Sequence, residues 1–210
     1  MTTQIKICGL KTREAIMAAA DAGATHVGFV HYPPSPRHVS LEEAAALRQM
    51  VPAHMKSVLL LVSMEAADAA NAIARVQPHV VQFHGAESAQ GCAMFRQISP
   101  VEVWKAVGVK NASSLEEAQR FVGAVDLILY DAPAGRLPGG QGLALDWSLL
   151  AGHQHQAPWG LAGGLDAANV ADAICQTGAP LVDTSSGVES APGVKDLDKI
   201  AAFCRAVRGG

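Results

Sequence analysis

Short apolar runs alternate along the chain with longer Ala-rich segments that carry polar residues on one face. Several of the runs are continuously apolar, as expected for strands that are buried on both faces of a sheet. They predict eight strands, which cover residues 5–9, 26–30, 57–62, 80–85, 101–109, 127–131, 160–163 and 181–185.

The segments between these runs predict helices, among them TREAIMAAADAG, SLEEAAALRQMV, EAADAANAIARV and DAANVADAICQTG. Side chains that can accept hydrogen bonds from the first free backbone amides precede several helices. The expected N-caps are Thr12, Ser40, Ser114 and Asp166. Glu43 and Glu117 each follow such a serine at the spacing of a capping box. Gly23 and Gly178 follow the ends of two helices, where a left-handed residue is favoured.

Eight strand–helix repeats within 210 residues predict a single (β/α)8 TIM barrel of the α/β class. The alternative is an open, doubly wound sheet, which has the same alternation. Such a sheet usually has fewer strands and a glycine fingerprint after the first, whereas the first strand here runs into CGLKTRE. No linker or low-complexity segment interrupts the series, so we expect residues 1–210 to form one domain.

Composition narrows the class of protein further. Hydrophobic residues make up 50% of the chain, enough for a sizeable core, and the formal net charge is −3. The chain has neither a basic stripe for nucleic acid nor an acidic tail. Its apolar runs are too short to span a bilayer, and MTTQIKIC lacks the apolar segment of a signal peptide. We therefore expect a cytoplasmic protein without nucleic-acid or membrane partners.

The four cysteines are far apart in sequence and lack the CxxC spacing of a zinc site, so no metal is predicted. Cys92, Cys175 and Cys204 fall in helical segments, where packing in the core is expected. Cys8 differs, because it stands where the first strand gives way to a loop. It is either a packed apolar side chain or a positioned thiol that acts as a base or nucleophile.

Polar side chains stand at the C-terminal ends of the predicted strands, where the active sites of (β/α)8 barrels lie. Asp131 is a candidate general acid or the cap of the following loop. Arg37, in the loop HYPPSPRH, suits a carboxylate or phosphate partner or is a solvated surface arginine. His84 either contacts a substrate or is structural. In a closed barrel, Cys8 and Asp131 belong to the first and sixth strands and face each other across the mouth.

Two glycine-containing segments follow the seventh and eighth strands, a common position of phosphate sites in such barrels. LAGGLDAANV offers backbone amides, and DTSSGVES offers amides and hydroxyls. The alternative is two ordinary glycine turns. The candidate phosphate-binding residues are Gly163, Gly164, Ser185, Ser186 and Gly187, and Asp183 lies nearby on the eighth strand. The segment PAGRLPGGQG, residues 133–142, is read as a lid over a substrate or as a connector.

Taken together, these motifs resemble the phosphoribosylanthranilate isomerase family. The resemblance is carried by KICGL, GFVHYPPSPRHVS, VVQFHG, KAVGV, LYDA, GGQGLALDW, LAGGL and VDTSSGVE, from about residue 5 to the C-terminal helix. It implies a single (β/α)8 barrel without metal or organic cofactor. It also implies an enzyme of tryptophan biosynthesis whose small phosphorylated substrate is N-(5'-phosphoribosyl)anthranilate. The implied product is open-chain 1-(2-carboxyphenylamino)-1-deoxyribulose 5-phosphate.

The resemblance also implies roles for individual residues. Cys8 matches the general base and Asp131 the general acid of an Amadori rearrangement, and Arg37 matches the contact to the anthranilate part. The glycines after the seventh strand and the SSG sequence after the eighth match the phosphate site, and His84 and Asp183 match positions at the substrate. The chain departs from the family pattern at Gln141 in GGQG and at the end of VLLLVS, where Asn often follows the last Val.

Other functions stay open from the residues alone. A lysine-based lyase on the same fold would need Lys6 or Lys105 to point into the barrel, and Lys6 shares a strand face with Cys8. The histidine-pathway isomerase would be expected to use two aspartates and grip two phosphates, whereas here Cys8 stands at the first position and one phosphate site is evident. A non-catalytic binder of phosphorylated ligands would explain Arg37 and the glycines, but neither Cys8 nor Asp131. The residues do not distinguish a monomer from a homodimer.

Overall fold

The computed structural model describes residues 2–133 and 145–209, and its centre is a closed barrel of parallel strands. The strands of the barrel are β1 (Gln4–Cys8), β2 (His26–His31), β3 (Lys56–Leu61), β4 (Val80–Phe83), β5 (Glu102–Gly108), β6 (Leu127–Asp131), β7 (Trp159–Leu161) and β8 (Leu181–Thr184). Each strand pairs with the next, and β8 pairs with β1. The predicted barrel is therefore confirmed. The alternative of an open sheet is wrong, because β1 and β8 pair with each other, whereas the two edge strands of an open sheet do not.

Helices cover the outside of the barrel. They are α1 (Arg13–Asp21), α2 (Leu41–Gln49), α3 (Ala66–Val76), α4 (Ala89–Ile98), α5 (Ala112–Ala118), α6 (Val170–Thr177) and α7 (Leu197–Arg208). Two predicted caps are confirmed, because the Thr12 side chain accepts from the backbone of Ala15 and Ser40 forms a capping box with Glu43. Gly178 ends α6 in the left-handed conformation, as predicted.

Two other cap predictions need correction. The N-cap of α5 is Asn111, whose side chain accepts from the Ser114 amide, so Ser114 lies inside the helix that it was expected to begin. Asp166 accepts hydrogen bonds from the amides of Ala168 and Asn169, and thus caps the turn that leads into α6. Both errors arise because several neighbouring polar residues can cap the same helix start.

Side chains alternate between the inside and the outside of the barrel wall. On β1, Ile5 and Ile7 belong to the main core between strands and helices. Trp104, Leu129 and Leu181 belong to a separate apolar cluster inside the barrel. This period-two alternation places alternate residues of each strand in the interior, and several interior positions near the C-terminal ends are polar. The site described below is built from them.

A short antiparallel hairpin follows β8 and was not predicted. It consists of β9 (Glu189–Ala191) and β10 (Val194–Lys195), and its turn contains Gly193 with a φ of +79°. A Cβ atom at Gly193 would lie 2.3 Å from the carbonyl oxygen of Pro36, so the hairpin packs directly on the loop that precedes α2. The hairpin therefore reaches the loop that carries Arg37.

The prediction that the three helical cysteines pack in the core is right for two of them and wrong for the third. Cys92 and Cys204 are buried in helices, as expected, but Cys175 is exposed on α6. Across residues 2–133 and 145–209, no helix is both long enough and apolar enough to cross a membrane. The predicted lid or connector at residues 133–142 and the departure at Gln141 lie outside the described residues, apart from Pro133.

Candidate active site

A cavity opens at the C-terminal ends of the barrel strands and collects nearly all of the predicted site residues. The predicted residues that line it are Cys8, Arg37, His84, Asp131, Gly163, Gly164, Asp183, Ser185 and Ser186. Gly187 does not line the cavity, because it packs behind it against the carbonyl oxygen of Leu165. Residues from six different strands or their following loops therefore meet at one place, although they are far apart in sequence.

Cys8 ends β1 and is buried at the cavity wall, where Val30 and Leu60 pack beside it. Its thiol occupies space that a side chain at position 28 would need, since a Cβ atom on Gly28 would lie 2.9 Å from the Cys8 sulfur. Burial raises the pKa of the Cys8 thiol, and the positive charge of Lys6 only partly offsets that effect. The free protein therefore holds Cys8 mainly as the neutral thiol.

Lys6 and Asp183 form a buried ion pair inside the barrel. Lys6 Nζ donates to Asp183 Oδ2 at 2.7 Å, and both side chains are shielded from solvent. Burial, the largest single effect, would lower the pKa of Lys6, but Asp183 and Cys8 together outweigh it and the pKa is raised. Lys6 is thus a permanent cation, while Oδ1 of Asp183 is buried without a hydrogen-bond partner among the described residues.

Asp131 ends β6 and lies beside His84, which follows β4. Asp131 Oδ1 accepts a hydrogen bond from the amide of Ala132 at 2.8 Å, and Oδ2 lies 3.3 Å from His84 Nε2. The carboxyl group is therefore oriented by its own backbone and by an imidazole from a neighbouring part of the wall. Both residues reach the same cavity as Cys8.

Lys105 holds the backbone on either side of His84. Its ammonium donates to the carbonyl oxygen of Gly85 at 2.7 Å and to that of Phe83 at 3.4 Å. It also forms an ion pair with Glu87 at 3.0 Å. Lys105 thus bonds to the backbone and to Glu87, and it does not line the cavity. Of the two candidate lysines, Lys6 is the one inside the barrel near Cys8.

The loops after β7 and β8 pack against each other. Gly163 and Gly164 have φ values of +89° and +71°. The Thr184 hydroxyl donates to the carbonyl oxygen of Leu165 at 2.6 Å and joins the two loops. Gly163 also lies close to the Asp131 segment, because a Cβ atom there would be 2.4 Å from the amide nitrogen of Ala132.

We expect Gly163→Ala to destabilise the protein more than Gly123→Ala does. Both positions have a positive φ, near +80° to +90°, but nothing lies within 4 Å of a Cβ atom at Gly123. Backbone strain alone should cost about 1 kcal/mol in each variant. The clash with Ala132 should add roughly 1 to 3 kcal/mol for Gly163→Ala. Denaturant unfolding of the two variants measures the difference, and equal losses of stability would contradict the expectation.

Arg37 is held by a buried carboxylate on the hairpin. Its Nε and one terminal nitrogen donate to the two oxygens of Glu189, at 2.8 and 2.7 Å. Lys195 Nζ donates to Glu189 Oε1 and to the carbonyl oxygen of Ser185, each at 2.8 Å. Burial would raise the pKa of Glu189, but the Arg37 and Lys195 contacts outweigh it and keep the pKa low. The guanidinium plane is consequently fixed at the cavity wall.

Sequence reasoning did not assign a place at the site to Glu189, Lys195 or Gln82. Gln82 lines the cavity from β4, and its Oε1 is buried without a hydrogen-bond partner in residues 2–133 and 145–209. A period-two reading of VVQFHG would have found Gln82, since it faces the same side of the strand as His84. Glu189 and Lys195 lie beyond the last predicted strand and carried no such indication. Among the described residues, no group of three or more potential ligands could hold a metal ion.

A closed (β/α)8 barrel with a cavity at the C-terminal ends of the strands, lined by both polar and apolar side chains, has the architecture of a barrel enzyme. Comparison with known proteins identifies which one. The chain belongs to the N-(5'-phosphoribosyl)anthranilate isomerase family, because the family model matches residues 5–206.

Individual relatives agree with this assignment along the whole chain. The N-(5'-phosphoribosyl)anthranilate isomerase of Erythrobacter litoralis is 59% identical over 206 residues, which cover 98% of this chain and 99% of the relative. The crystal structure of phosphoribosyl anthranilate isomerase from Thermotoga maritima has a TM-score of 0.91 and 33% identity, with all of both chains covered. A second phosphoribosyl anthranilate isomerase structure, with a TM-score of 0.88, 33% identity and full coverage of both chains, contains reduced 1-(o-carboxyphenylamino)-1-deoxyribulose 5-phosphate.

Proposed function

We propose that the chain converts N-(5'-phosphoribosyl)anthranilate to 1-(2-carboxyphenylamino)-1-deoxyribulose 5-phosphate in tryptophan biosynthesis, with Cys8 as general base and Asp131 as general acid. The observation that carries the proposal is that both residues line one cavity from β1 and β6. The solved relative that holds the reduced form of this product supports the substrate class. The proposal treats residues 1–210 as one catalytic domain.

Asp131 acts first in this mechanism. The furanose ring opens when its ring oxygen receives a proton, and the amine nitrogen then forms an iminium as the carbon–oxygen bond breaks. Asp131 can supply that proton, since its Oδ2 faces the cavity beside His84 while Oδ1 is held by the Ala132 amide. A positioned acid of this kind typically contributes about 10² to 10⁴-fold to the rate.

Cys8 completes the rearrangement. The iminium makes the proton on the adjacent sugar carbon acidic, and Cys8 removes it to give an enolamine that tautomerises to the ketone. Because burial keeps the pKa of the thiol high in the free protein, the thiolate gains stability when the positive iminium forms beside it. The charge that activates the base is thus produced by the preceding step. The reaction rearranges bonds within one substrate by proton transfers and ring opening, and it consumes no external oxidant or reductant, so the proposal assigns no metal or organic cofactor.

The remaining residues of the cavity are proposed to bind the phosphate end, the anthranilate end and the sugar of the substrate. The backbone of Gly163 and Gly164 and the segment from Ser185 to Gly187 would hold the phosphate. The guanidinium of Arg37 would contact the anthranilate carboxylate, and its position is fixed in advance by Glu189. His84 and Asp183 would contact the sugar. Binding at both ends orients the reacting carbon between the acid and the base.

The test is turnover of freshly generated phosphoribosylanthranilate by the wild-type protein, followed as the loss of anthranilate-type fluorescence. We expect conversion to the ketone product. Binding of the compound without turnover would contradict the proposal and indicate a non-catalytic binder of phosphorylated ligands. Neither binding nor turnover would show that the substrate is wrong.

A further inference from the structure

Lys6 is a fully buried cation for which the mechanism above provides no role. Its exposed fraction is 0%, and it is among the largest completely buried side chains of the described protein. A charge inside a barrel is costly unless a partner compensates it. The compensation comes from Asp183, at 2.7 Å. A buried ion pair of this kind is weak evidence for stability, so its retention needs another explanation.

The geometry of β1 connects Lys6 to Cys8. Residues two apart on a strand point to the same face, so the Lys6 and Cys8 side chains both enter the barrel, with Cys8 nearer the mouth. Each group also acts on the pKa of the other, since the charge of Lys6 lowers the pKa of Cys8 and the charge of Cys8 raises the pKa of Lys6. The ammonium of Lys6 therefore enters the barrel on the same face of β1 as the thiol, one step further from the mouth.

The pairing of β1 with β8 determines where that ammonium lies. Lys6 and Asp183 are register partners in the two adjacent parallel strands. Asp183 Oδ2 holds the ammonium, while Oδ1 is buried without a hydrogen-bond partner in the part of the chain that the structure describes, and Asp183 itself lines the cavity. One carboxylate therefore fixes Lys6 from one side, and the same residue also lines the cavity.

The charged groups that act on the thiol come from three strands. They are Lys6 on β1, Asp183 on β8 and Lys195 on β10, and Asp131 and His84 line the same cavity from its other strands. Lys6 makes the largest contribution that lowers the pKa of Cys8, while burial and Asp183 raise it. Among these groups, Lys6 is the cation that shares the strand of Cys8.

We propose that Lys6 is a positioning residue for the reaction, whose ammonium, clamped by Asp183 beneath Cys8, orients the thiol and stabilises its anionic form. The inference rests on the proposed function, because it gives Lys6 a purpose only if Cys8 must ionise. It assigns a second task to Asp183, which holds the cation in addition to facing the substrate.

The first test measures ionisation of Cys8 without any substrate. Wild type and Lys6→Met are compared in a Cys175→Ser background, because Cys175 is exposed and would react as well. The rate of alkylation of the Cys8 peptide by iodoacetamide is followed by mass spectrometry as a function of pH. We expect the midpoint to rise by about one to three pH units in Lys6→Met. The alkylation rate at neutral pH should fall about 10-fold or more.

A second variant separates the loss of the cation from the carboxylate left behind. Lys6→Met/Asp183→Asn removes both charges, and it avoids an unpaired buried carboxylate that could impair folding. Because Asp183 raises the pKa of Cys8 but by less than Lys6 lowers it, the proposal requires the midpoint in this variant to stay above that of wild type, with a smaller rise than in Lys6→Met. An unchanged midpoint in both variants overturns the proposal. A raised midpoint in the single variant alone also overturns it, because the shift would then come from Asp183.

Steady-state kinetics distinguish this inference from the proposed function. If Lys6 positions the base, Lys6→Met lowers kcat far more than it changes KM, and the acidic limb of the pH profile moves up with the alkylation midpoint. A wild type without turnover would refute the proposed function and leave the alkylation result to stand alone. Normal kcat and an unshifted pH profile in Lys6→Met, with an active wild type, would refute only the role of Lys6.

Discussion

Cys8→Ala is expected to lower kcat by about 10² to 10⁴-fold, since it removes the proposed base for the proton on the sugar carbon. The substitution deletes one sulfur atom from the cavity wall and leaves the Lys6–Asp183 pair and the backbone of β1 in place. KM should change little, because the thiol contributes proton transfer rather than binding. The measurement is turnover of phosphoribosylanthranilate under saturating substrate, with the melting temperature as a check on folding.

Two control variants sharpen this result. Cys8→Ser preserves the size and polarity of the side chain, but a hydroxyl is a far weaker acid than a thiol, so this variant should be nearly as inactive as Cys8→Ala. Cys175→Ala removes an exposed cysteine on α6 and should retain wild-type activity. A folded Cys8→Ala protein with full activity would show that the thiol serves only packing and that the base is another residue.

Asp131→Asn is expected to cause a loss of similar size, about 10² to 10⁴-fold in kcat, since an amide cannot protonate the ring oxygen. Asparagine keeps a carbonyl oxygen that can accept from the Ala132 amide, so the end of β6 should keep its conformation. Arg37 and the loops proposed to bind phosphate are unchanged, and substrate affinity should be largely preserved. Single-turnover kinetics would place the defect in chemistry rather than in binding.

Asp172→Asn is the matched control, because Asp172 is exposed on α6 and its replacement removes the same charge far from the cavity. It should turn over substrate at the wild-type rate. If Asp131→Asn were equally active, Asp131 would be a cap of the following loop, and the proton would have to come from elsewhere. The double variant Cys8→Ala/Asp131→Asn would be informative as well, since groups that act on one reaction sequence are strongly non-additive.

Most of the barrel could be predicted from sequence because its determinants are local. A continuous apolar run indicates a buried strand, and a capping residue such as Ser40 marks the helix that follows. Where several local choices compete, as at Asn111 and Ser114, the same reasoning placed the cap three residues too late. The exposed position of Cys175 was missed because its helical segment alone does not reveal which face packs inward.

The site residues, too, could be predicted where a local sequence pattern marks them and not where tertiary packing alone brings them to the site. Cys8, His84 and Asp131 were found because each stands at the end of a recognisable strand, where a closed barrel gathers its polar residues. Glu189 and Lys195 were missed because they belong to a short hairpin after the last barrel strand, without a hydrophobic pattern of its own. The environment of Arg37 depended on that hairpin and could not be predicted without it.

The sequence by itself determined the strands, their order of appearance and the chemistry available at their ends, because these follow from periodicity and residue type along the chain. Only the tertiary structure decided the charge pairs. Lys6 meets Asp183 across 177 residues, and Arg37 meets Glu189 across 152. Barrel closure and loop packing bring these buried charges together. Because the partners are so far apart in sequence, no local sequence pattern predicts that they meet. The ionisation of Cys8 depends on that choice, because its pKa reflects burial and neighbouring charges rather than its own sequence context.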